Sequence, residues 1–312
     1  MKTPHQDDQF YLARKSQTMQ LRARFIQSLR DFFVQHQFLE VETPIRTPSP
    51  APEEHIEAIP SGGWFLQTSP ELCMKRLLAA GYPRIFQFCK CFRGDERGAR
   101  HLPEFTMLEW YVAHFGYGQL MDQCEALLLA ALKDMGHPQD IVWQNKKIYL
   151  TQPWEKITVA DAFIRHAPIS LQEALSKDRF DEILVEHIEP HLGCPRPTFL
   201  YDYPAELAAL AKIKKSDPAV AERFELYIGS MEMANGFSEL TDADEQRRRF
   251  EEAAAARTAK HWACYPIPEK FLAALEYLPP SAGIALGIDR MMMILADTKQ
   301  IDDVIAFPPE AL

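Results

Sequence analysis

Long apolar runs are missing from this chain. No stretch of its 312 residues approaches the roughly 18 to 20 apolar positions that a bilayer-crossing helix needs. The opening residues Met1-Lys2-Thr3-Pro4-His5-Gln6-Asp7-Asp8 lack the apolar core of a secretory signal, so a cytoplasmic protein is expected. Basic charge is scarce: 34 lysines and arginines face 44 aspartates and glutamates, a formal net charge of −10. A protein that grips a nucleic-acid backbone displays a basic face, so no stable nucleic-acid complex is expected. The one dense basic cluster, Arg247-Arg248-Arg249, lies among Asp242, Asp244, Glu245, Glu251 and Glu252 and reads as a solvated mixed-charge helix face. Cysteine is sparse and unpatterned. Cys73, Cys89, Cys91, Cys124, Cys194 and Cys264 show no zinc-ribbon or redox spacing, and Cys89-Lys90-Cys91 is tighter than a zinc knuckle. Free, mostly buried thiols are expected.

What is present is the composition of a folded soluble chain, 47% apolar and 25% charged, long enough for one large core or two modest ones. Leu21, Phe25, Leu29, Phe32, Phe33 and His36 recur at three- and four-residue intervals, which predicts an amphipathic helix over 14–37. Residues 38–44 alternate as a strand that Pro44 ends, and a proline-rich polar loop follows. After a strand at 64–68, Ser69-Pro70-Glu71 opens a helix with serine as its cap. Residues 85–93 and 104–111 read as antiparallel strands around a polar loop, and 119–135 as a second amphipathic helix. Residues 136–195 alternate short helical and extended pieces, an insertion packed on the core. Strands return at 198–203 and 222–228, an alanine-rich helix covers about 242–260, and 283–295 is a glycine-interrupted strand running into an apolar helix. Helices mixed with mostly antiparallel strands give an α+β domain.

The densest chemistry lies in Phe92-Arg93-Gly94-Asp95-Glu96 and, shortly after, His101-Leu102-Pro103-Glu104-Phe105-Thr106-Met107-Leu108-Glu109-Trp110-Tyr111. A cation, several carboxylates and an aromatic ring sit on two extended segments joined by a polar loop. That is equipment for holding a bent nucleoside triphosphate beside an amine-bearing acid. The stretch resembles motif 2 of the class II aminoacyl-tRNA synthetases, and its second half is most similar to the lysyl branch. The first helix with residues 38–44 resembles motif 1, which in that family builds the homodimer interface. Residues 283–295 resemble motif 3. The three stand in order across nearly the whole chain. The resemblance implies the class II catalytic fold, an antiparallel β-sheet flanked by helices, as a single domain over 14–312 behind an N-terminal extension at 1–13.

Activating a carboxylate on ATP requires in-line attack at the α-phosphorus while negative charge gathers on pyrophosphate, so positioning and electrostatic stabilisation dominate. The resemblance makes Arg93 and Arg290 the catalytic pair, Arg93 at the α-phosphate and substrate carboxylate and Arg290 at the γ-phosphate. Asp95, His101, Phe105 and Glu232 join them around ATP, with Phe105 as the adenine platform and His101 near the phosphate tail. Taken alone, a strand phenylalanine reads as core; its place in the motif reverses that preference. Glu225 and Glu232 match the carboxylates that hold Mg²⁺ on the phosphates, since Mg²⁺ prefers oxygen ligands shared with polyphosphate. Ser69, Glu71, Tyr111, Asn235, Glu239 and Ala285 are implied at the amino-acid substrate. Glu239 with Tyr111 takes the terminal ammonium, Glu71 with Ser69 nearby takes the other, and Asn235 holds the carboxylate. A pocket for a lysine-like molecule needs a buried anion for each ammonium.

A lysyl-tRNA synthetase carries an N-terminal OB-fold that grips the anticodon. With the motif 1 helix beginning near residue 14, no such module is expected here. The chain is similar to the elongation factor P–(R)-β-lysine ligase family, which implies ATP and Mg²⁺, (R)-β-lysine or lysine as substrate, elongation factor P as acceptor, and a homodimer. Ala285 stands where lysyl-tRNA synthetases have glycine. One methyl-sized change decides about 1 to 3 kcal/mol, either reshaping the floor against α-lysine or serving as neutral packing. Two departures stand out. Gly94-Asp95 replaces the family's Asn-Glu, and Leu102 replaces a common asparagine. Three rivals stay open: a ligase with a small acceptor, a truncated lysyl-tRNA synthetase, and a non-enzymatic regulatory paralogue.

Overall fold

Alternation along the strands gives this protein one apolar and one polar sheet face, and that asymmetry positions everything else. The computed structural model describes residues 4–138 and 140–312. It opens with helices α1 (Pro4–Arg14) and α2 (Ser16–Gln35), then the short strands β1 (Leu39–Glu40), β2 (Arg46–Thr47), β3 (Pro60–Ser61) and β4 (Trp64–Leu66). Helix α3 (Glu71–Ala79) leads into the hairpin β5 (Arg84–Phe92) and β6 (Glu104–Ala113), followed by α4 (Tyr117–Asp134). Next come β7 (Asp140–Trp143), β8 (Lys146–Tyr149), β9 (Glu155–Thr158), α5 (Val159–His166), α6 (Leu171–Ser176) and α7 (Phe180–Ile183), which runs into a π-helical turn at Leu184–Ile188. The chain closes with β10 (Thr198–Pro204), β11 (Val220–Tyr227), β12 (Glu232–Ser238), α8 (Ala243–Ala259), α9 (Glu269–Leu275), β13 (Ser281–Gly287) and α10 (Ile288–Leu295).

Eight strands form the main sheet in the order β1-β5-β6-β13-β12-β11-β10-β9. Its interior pairs are antiparallel, while β1 and β9 join its two edges in parallel. Side chains alternate between faces with period two. Phe86, Leu108, Trp110, Val112, Ile284, Leu286, Phe224 and Leu226 join the main core with Phe25, Leu29 and Phe33 of α2 and Leu120, Cys124 and Leu127 of α4. The intervening residues face the other way. There α3, α8 and α9 supply Met74, Leu78, Phe250, Phe271 and Leu275 around Tyr111.

Three expectations change in detail. The chain is already helical from Pro4, and α1 and α2 break at Lys15, whose buried ammonium donates to the carbonyls of Asp302 and Ile305 at 2.6 and 2.8 Å. The strand expected over 38–44 shrinks to Leu39–Glu40, with one further bond from the Val41 N–H to Phe86 O before Pro44, which has no N–H to give. Residues 136–195 do more than pack on the core. Their β9 extends the sheet alongside β10, and Phe163, Phe180 and Ile183 build a second core with Leu200, Tyr203 and Tyr227 of the sheet. Arg247, Arg248 and Arg249 engage Glu269, Glu245 and Glu252, the mixed-charge face expected. All six cysteines are free. Among the described residues, no helix is long and apolar enough to cross a membrane.

Candidate active site

Strand register lines up one polar row across the sheet. Gln87 of β5 lies opposite Glu109 of β6, Glu109 opposite Ala285 of β13, Ala285 opposite Asn235 of β12, and Asn235 opposite Glu225 of β11. One step along, Tyr111, Gly283, Phe237 and Arg223 form a parallel row. Apart from Gln87, these residues floor a cavity of about 970 Å³. Gly283 is required there, since a Cβ would fall 2.2 Å from the Tyr111 ring and 2.6 Å from Glu239 Oε1.

The inner end is acidic and crowded. Ser69 Oγ accepts from the Glu71 N–H at 3.0 Å, fixing the start of α3, and donates to Glu109 Oε1 at 2.6 Å. The Tyr111 hydroxyl donates to Glu109 Oε2 at 2.8 Å. Lys75, one helical turn after Glu71, donates to Glu71 and lies 2.5 Å from Glu239 Oε2, its side chain 1% exposed. Glu239 Oε1 has no hydrogen-bond partner among the described residues. Burial, reinforced by Glu71, pushes the Glu109 carboxyl up to about 7 despite the two hydroxyls. Burial likewise lifts Glu239 to about 8 against the pull of Lys75. Burial alone would lower the Lys75 ammonium, but Glu239 and Glu71 outweigh it and hold it above its ordinary range.

The outer end is cationic and more open. Arg93 lies 5.2 Å over the Phe105 ring and 3.8 Å from Glu96, and its buried Nε has no partner among the described residues. Arg290 donates to the Glu232 carbonyl and to Glu232 Oε2 at 2.9 and 3.0 Å, and its other nitrogen lies 2.6 Å from His101 Nε2. Burial, with Arg290 adding to it, lowers the His101 pKa, so the ring is neutral and accepts. Burial would raise Glu232, yet Arg290, Arg223 and Arg93 hold it below the usual carboxylate range. Glu225 is raised by burial and by Glu232, while accepting from Arg223 at 2.6 Å and Tyr227 at 2.7 Å. Among the described residues no three-ligand protein cluster could hold a metal unaided. Two adjoining carboxylates, Glu225 and Glu232, in a cavity that Arg93 and Arg290 also line are a donor set that fits Mg²⁺ shared with a polyphosphate.

A loop over 51–58 walls one side. The guanidinium of Arg257, buried in α8, donates to the carbonyls of Glu53, Glu54 and Ile56 at 3.1, 3.3 and 2.9 Å, and to Glu57 Oε2 at 2.5 Å. The loop in turn receives the Gly94 N–H on the Glu57 carbonyl at 2.7 Å. Glu53 lines the cavity, and burial with Glu71 raises it to about 7.

Residues 9–311 match the family model described as tRNA synthetases class II (D, K and N). The chain belongs to that family. Its relatives include an elongation factor P–(R)-β-lysine ligase of Proteus mirabilis, 40% identical over 92% of this chain and 93% of that protein. The ligase of that name from Pectobacterium carotovorum is 38% identical over 93% of this chain and 94% of its own. A lysine–tRNA ligase of Methylobacillus flagellatus is 36% identical over 93% of this chain, which spans 62% of that longer protein. As a class II synthetase the chain is an ATP-dependent ligase.

In this synthetase frame, Ser69, Glu71, Arg93, His101, Phe105, Tyr111, Glu225, Glu232, Asn235, Ala285 and Arg290 all line one cavity, with Glu239 buried beside Lys75 and Tyr111. Asp95 differs. It is exposed at the loop tip with φ +60° and does not line the cavity, where Glu96 does. The hydroxyl of Tyr111 donates to Glu109, because both sit on the same face of β6 two residues apart, so Glu109 joins Tyr111 and Glu239 at this end. Glu109, Lys75, Glu53 and Arg223 were missed. Period two from Tyr111 and from Glu225 points to Glu109 and Arg223, and the four-residue step from Glu71 points to Lys75. Glu53 carries no such signal.

Proposed function

We propose that the chain activates (R)-β-lysine as an adenylate and transfers it to the ε-amine of a lysine on elongation factor P. The observation that carries this reading is the inner end of the cavity. Glu71, Glu109 and Glu239 converge there with a single resident ammonium, Lys75, so negative charge is left for a diamino acid. The ligases of that name are 37–40% identical and matched over nearly their whole length.

In the first step, a carboxylate oxygen of the amino acid attacks the α-phosphorus and the bond to pyrophosphate breaks. Arg93, with an unspent nitrogen, clamps the attacking carboxylate and the α-phosphate. Arg290 exchanges His101 and Glu232 for phosphate oxygens, and Phe105 releases Arg93 to stack on adenine. Glu225 and Glu232 would hold Mg²⁺, which offsets charge on the phosphate oxygens when bound. Asn235, beside Ala285 in the floor, orients the carboxylate. In the second step the neutral acceptor amine attacks the adenylate carbonyl, AMP leaves, and the amine loses its proton. Six free thiols suit the reducing cytoplasm, and exposed Val34, Leu39 and Ile45 beside the motif 1 segment suit a homodimer contact.

The test is mass spectrometry of elongation factor P after incubation with ATP and (R)-β-lysine, where the acceptor lysine should gain one β-lysyl group. Vigorous ATP–pyrophosphate exchange with no mass gain would sink the acceptor assignment. The lysine–tRNA ligase relatives favour a second reading, transfer of α-lysine to tRNA, which an aminoacylation assay with total tRNA distinguishes.

A further inference from the structure

Lys75 is the one residue of the acidic end that is itself a cation, and the mechanism above leaves it unused. Its side chain is 1% exposed, against 12% for Glu71 and 0% for Glu239, the two carboxylates it separates. Its ammonium also lies 5.0 Å from the Phe237 ring centroid and 5.9 Å from that of Phe271. Glu109 closes the same end from β6, tied to Ser69 and Tyr111. Glu53 faces this end from the 51–58 loop, while Arg223 of β11 spends its guanidinium on Glu225, Asn235 and the Leu207 carbonyl.

A buried ammonium needs a reason to be retained, because taking it out of water is costly unless it is fully paired. Folding alone gives no such reason here, since a neutral glutamine at 71 or 239 would remove the need for it. The geometry supplies one through charge matching. Within the cluster itself, with Glu53 standing apart on the loop, Glu71, Glu109 and Glu239 against Lys75 leave two negative charges unbalanced when all are ionised. Without Lys75 the floor would present three, and Glu71 and Glu239 would be free to close on the same incoming amine.

We propose that Lys75 is a specificity-determining positioning residue. Its ammonium occupies the gap between Glu71 and Glu239, keeps the two carboxylates apart as separate amine sites, and sets the floor's charge to match an amino acid with two ammoniums. This rests on the diamino-acid reading above and adds to it the residue that sets the amine count.

The test uses amino-acid-dependent ATP–pyrophosphate exchange on the full chain, with lysine and (R)-β-lysine. Lys75→Met keeps the reach of the side chain and removes the charge. It should raise KM for the diamino acid by about tenfold or more while KM for ATP stays within about twofold, since only the amine site loses a buried charge partner. Lys75→Ala supplies the second readout, because n-propylamine replaces the missing ammonium arm. With the amine present through purification and assay, exchange by Lys75→Ala should rise about fivefold or more, whereas n-propanol should do nothing. An unchanged diamino-acid KM in Lys75→Met overturns the proposal. So does a Lys75→Ala chain that stays inactive with the amine or answers equally to the alcohol. No exchange by the parent chain with either diamino acid overturns the proposed function instead.

Discussion

At the inner end of the cavity Glu71, Lys75, Glu109, Tyr111 and Glu239 hold one another in a nearly solvent-free cluster. At the outer end Arg93 and Arg290 rest on an aromatic ring, an imidazole and a carboxylate, with a quarter of each side chain open to water. The inner groups are assembled before any ligand arrives. The outer cations are engaged with groups they can give up. Under the proposed function, selectivity is built from fixed charges that are expensive to rearrange, and phosphate handling from charges that change partner cheaply.

Breaking the outer end should have the largest effect. Arg93→Ala and Arg290→Ala should each lower kcat for ATP–pyrophosphate exchange by about 10²- to 10³-fold, as loss of a transition-state charge clamp does. Next comes the inner end: Glu239→Ala should raise KM for the diamino acid about 100-fold, with nucleotide binding, measured by calorimetry, preserved. Equal activity in that variant would remove Glu239 from the pocket.

A pH series sharpens the contrast further. Glu109 and Glu239 have carboxyls raised to about 7 and 8, so they keep protons that an incoming dication must displace. As pH rises through that window the protons leave, so KM for the diamino acid should fall, by up to about tenfold per pH unit for each proton. The unliganded fold should move oppositely. Its carboxyls bind protons that the unfolded chain, with values near 4.5, has lost, so its Tm should decline as pH climbs from that value toward 8.

Smaller effects lie between the two ends. Ala285→Gly removes one methyl from the middle of the floor, between Asn235 and Glu109, and should shift the preference toward α-lysine by about tenfold in kcat/KM. Asp95→Ala should leave every constant within about twofold, since an exposed loop-tip carboxylate away from the cavity has little to lose.

Much of this arrangement was legible in the sequence because it is local. The β5–β6 hairpin shows in two alternating segments around a polar loop, and β13 into α10 shows in a glycine-broken strand ahead of Asp289-Arg290. The residues that escaped depend on register or on distant packing. Glu109 reads as an ordinary strand charge until Ser69, forty positions earlier, turns its hydroxyl onto it. Lys75 reads as a solvated helix lysine until Glu239, just past the end of β12, meets it on the same face of the sheet. Glu53 sits in a loop whose path is set by Arg257, about two hundred residues later, and no local pattern encodes that. The place of Asp95 in the motif suggests a ligand contact, but the backbone angle that turns it is not written in the motif: a positive φ carries it outward and leaves Glu96 on the cavity side.

Strand β9 comes from residues 136–195, a stretch that an engineer seeking a smaller ligase would be tempted to delete, yet it hydrogen-bonds the outer edge of β10. Removing it would uncover the amides and carbonyls of Thr198-Phe199-Leu200-Tyr201, a β-branched and aromatic ribbon ready to recruit a strand from another molecule. The trimmed enzyme would meet its limit in solubility before it met one in chemistry.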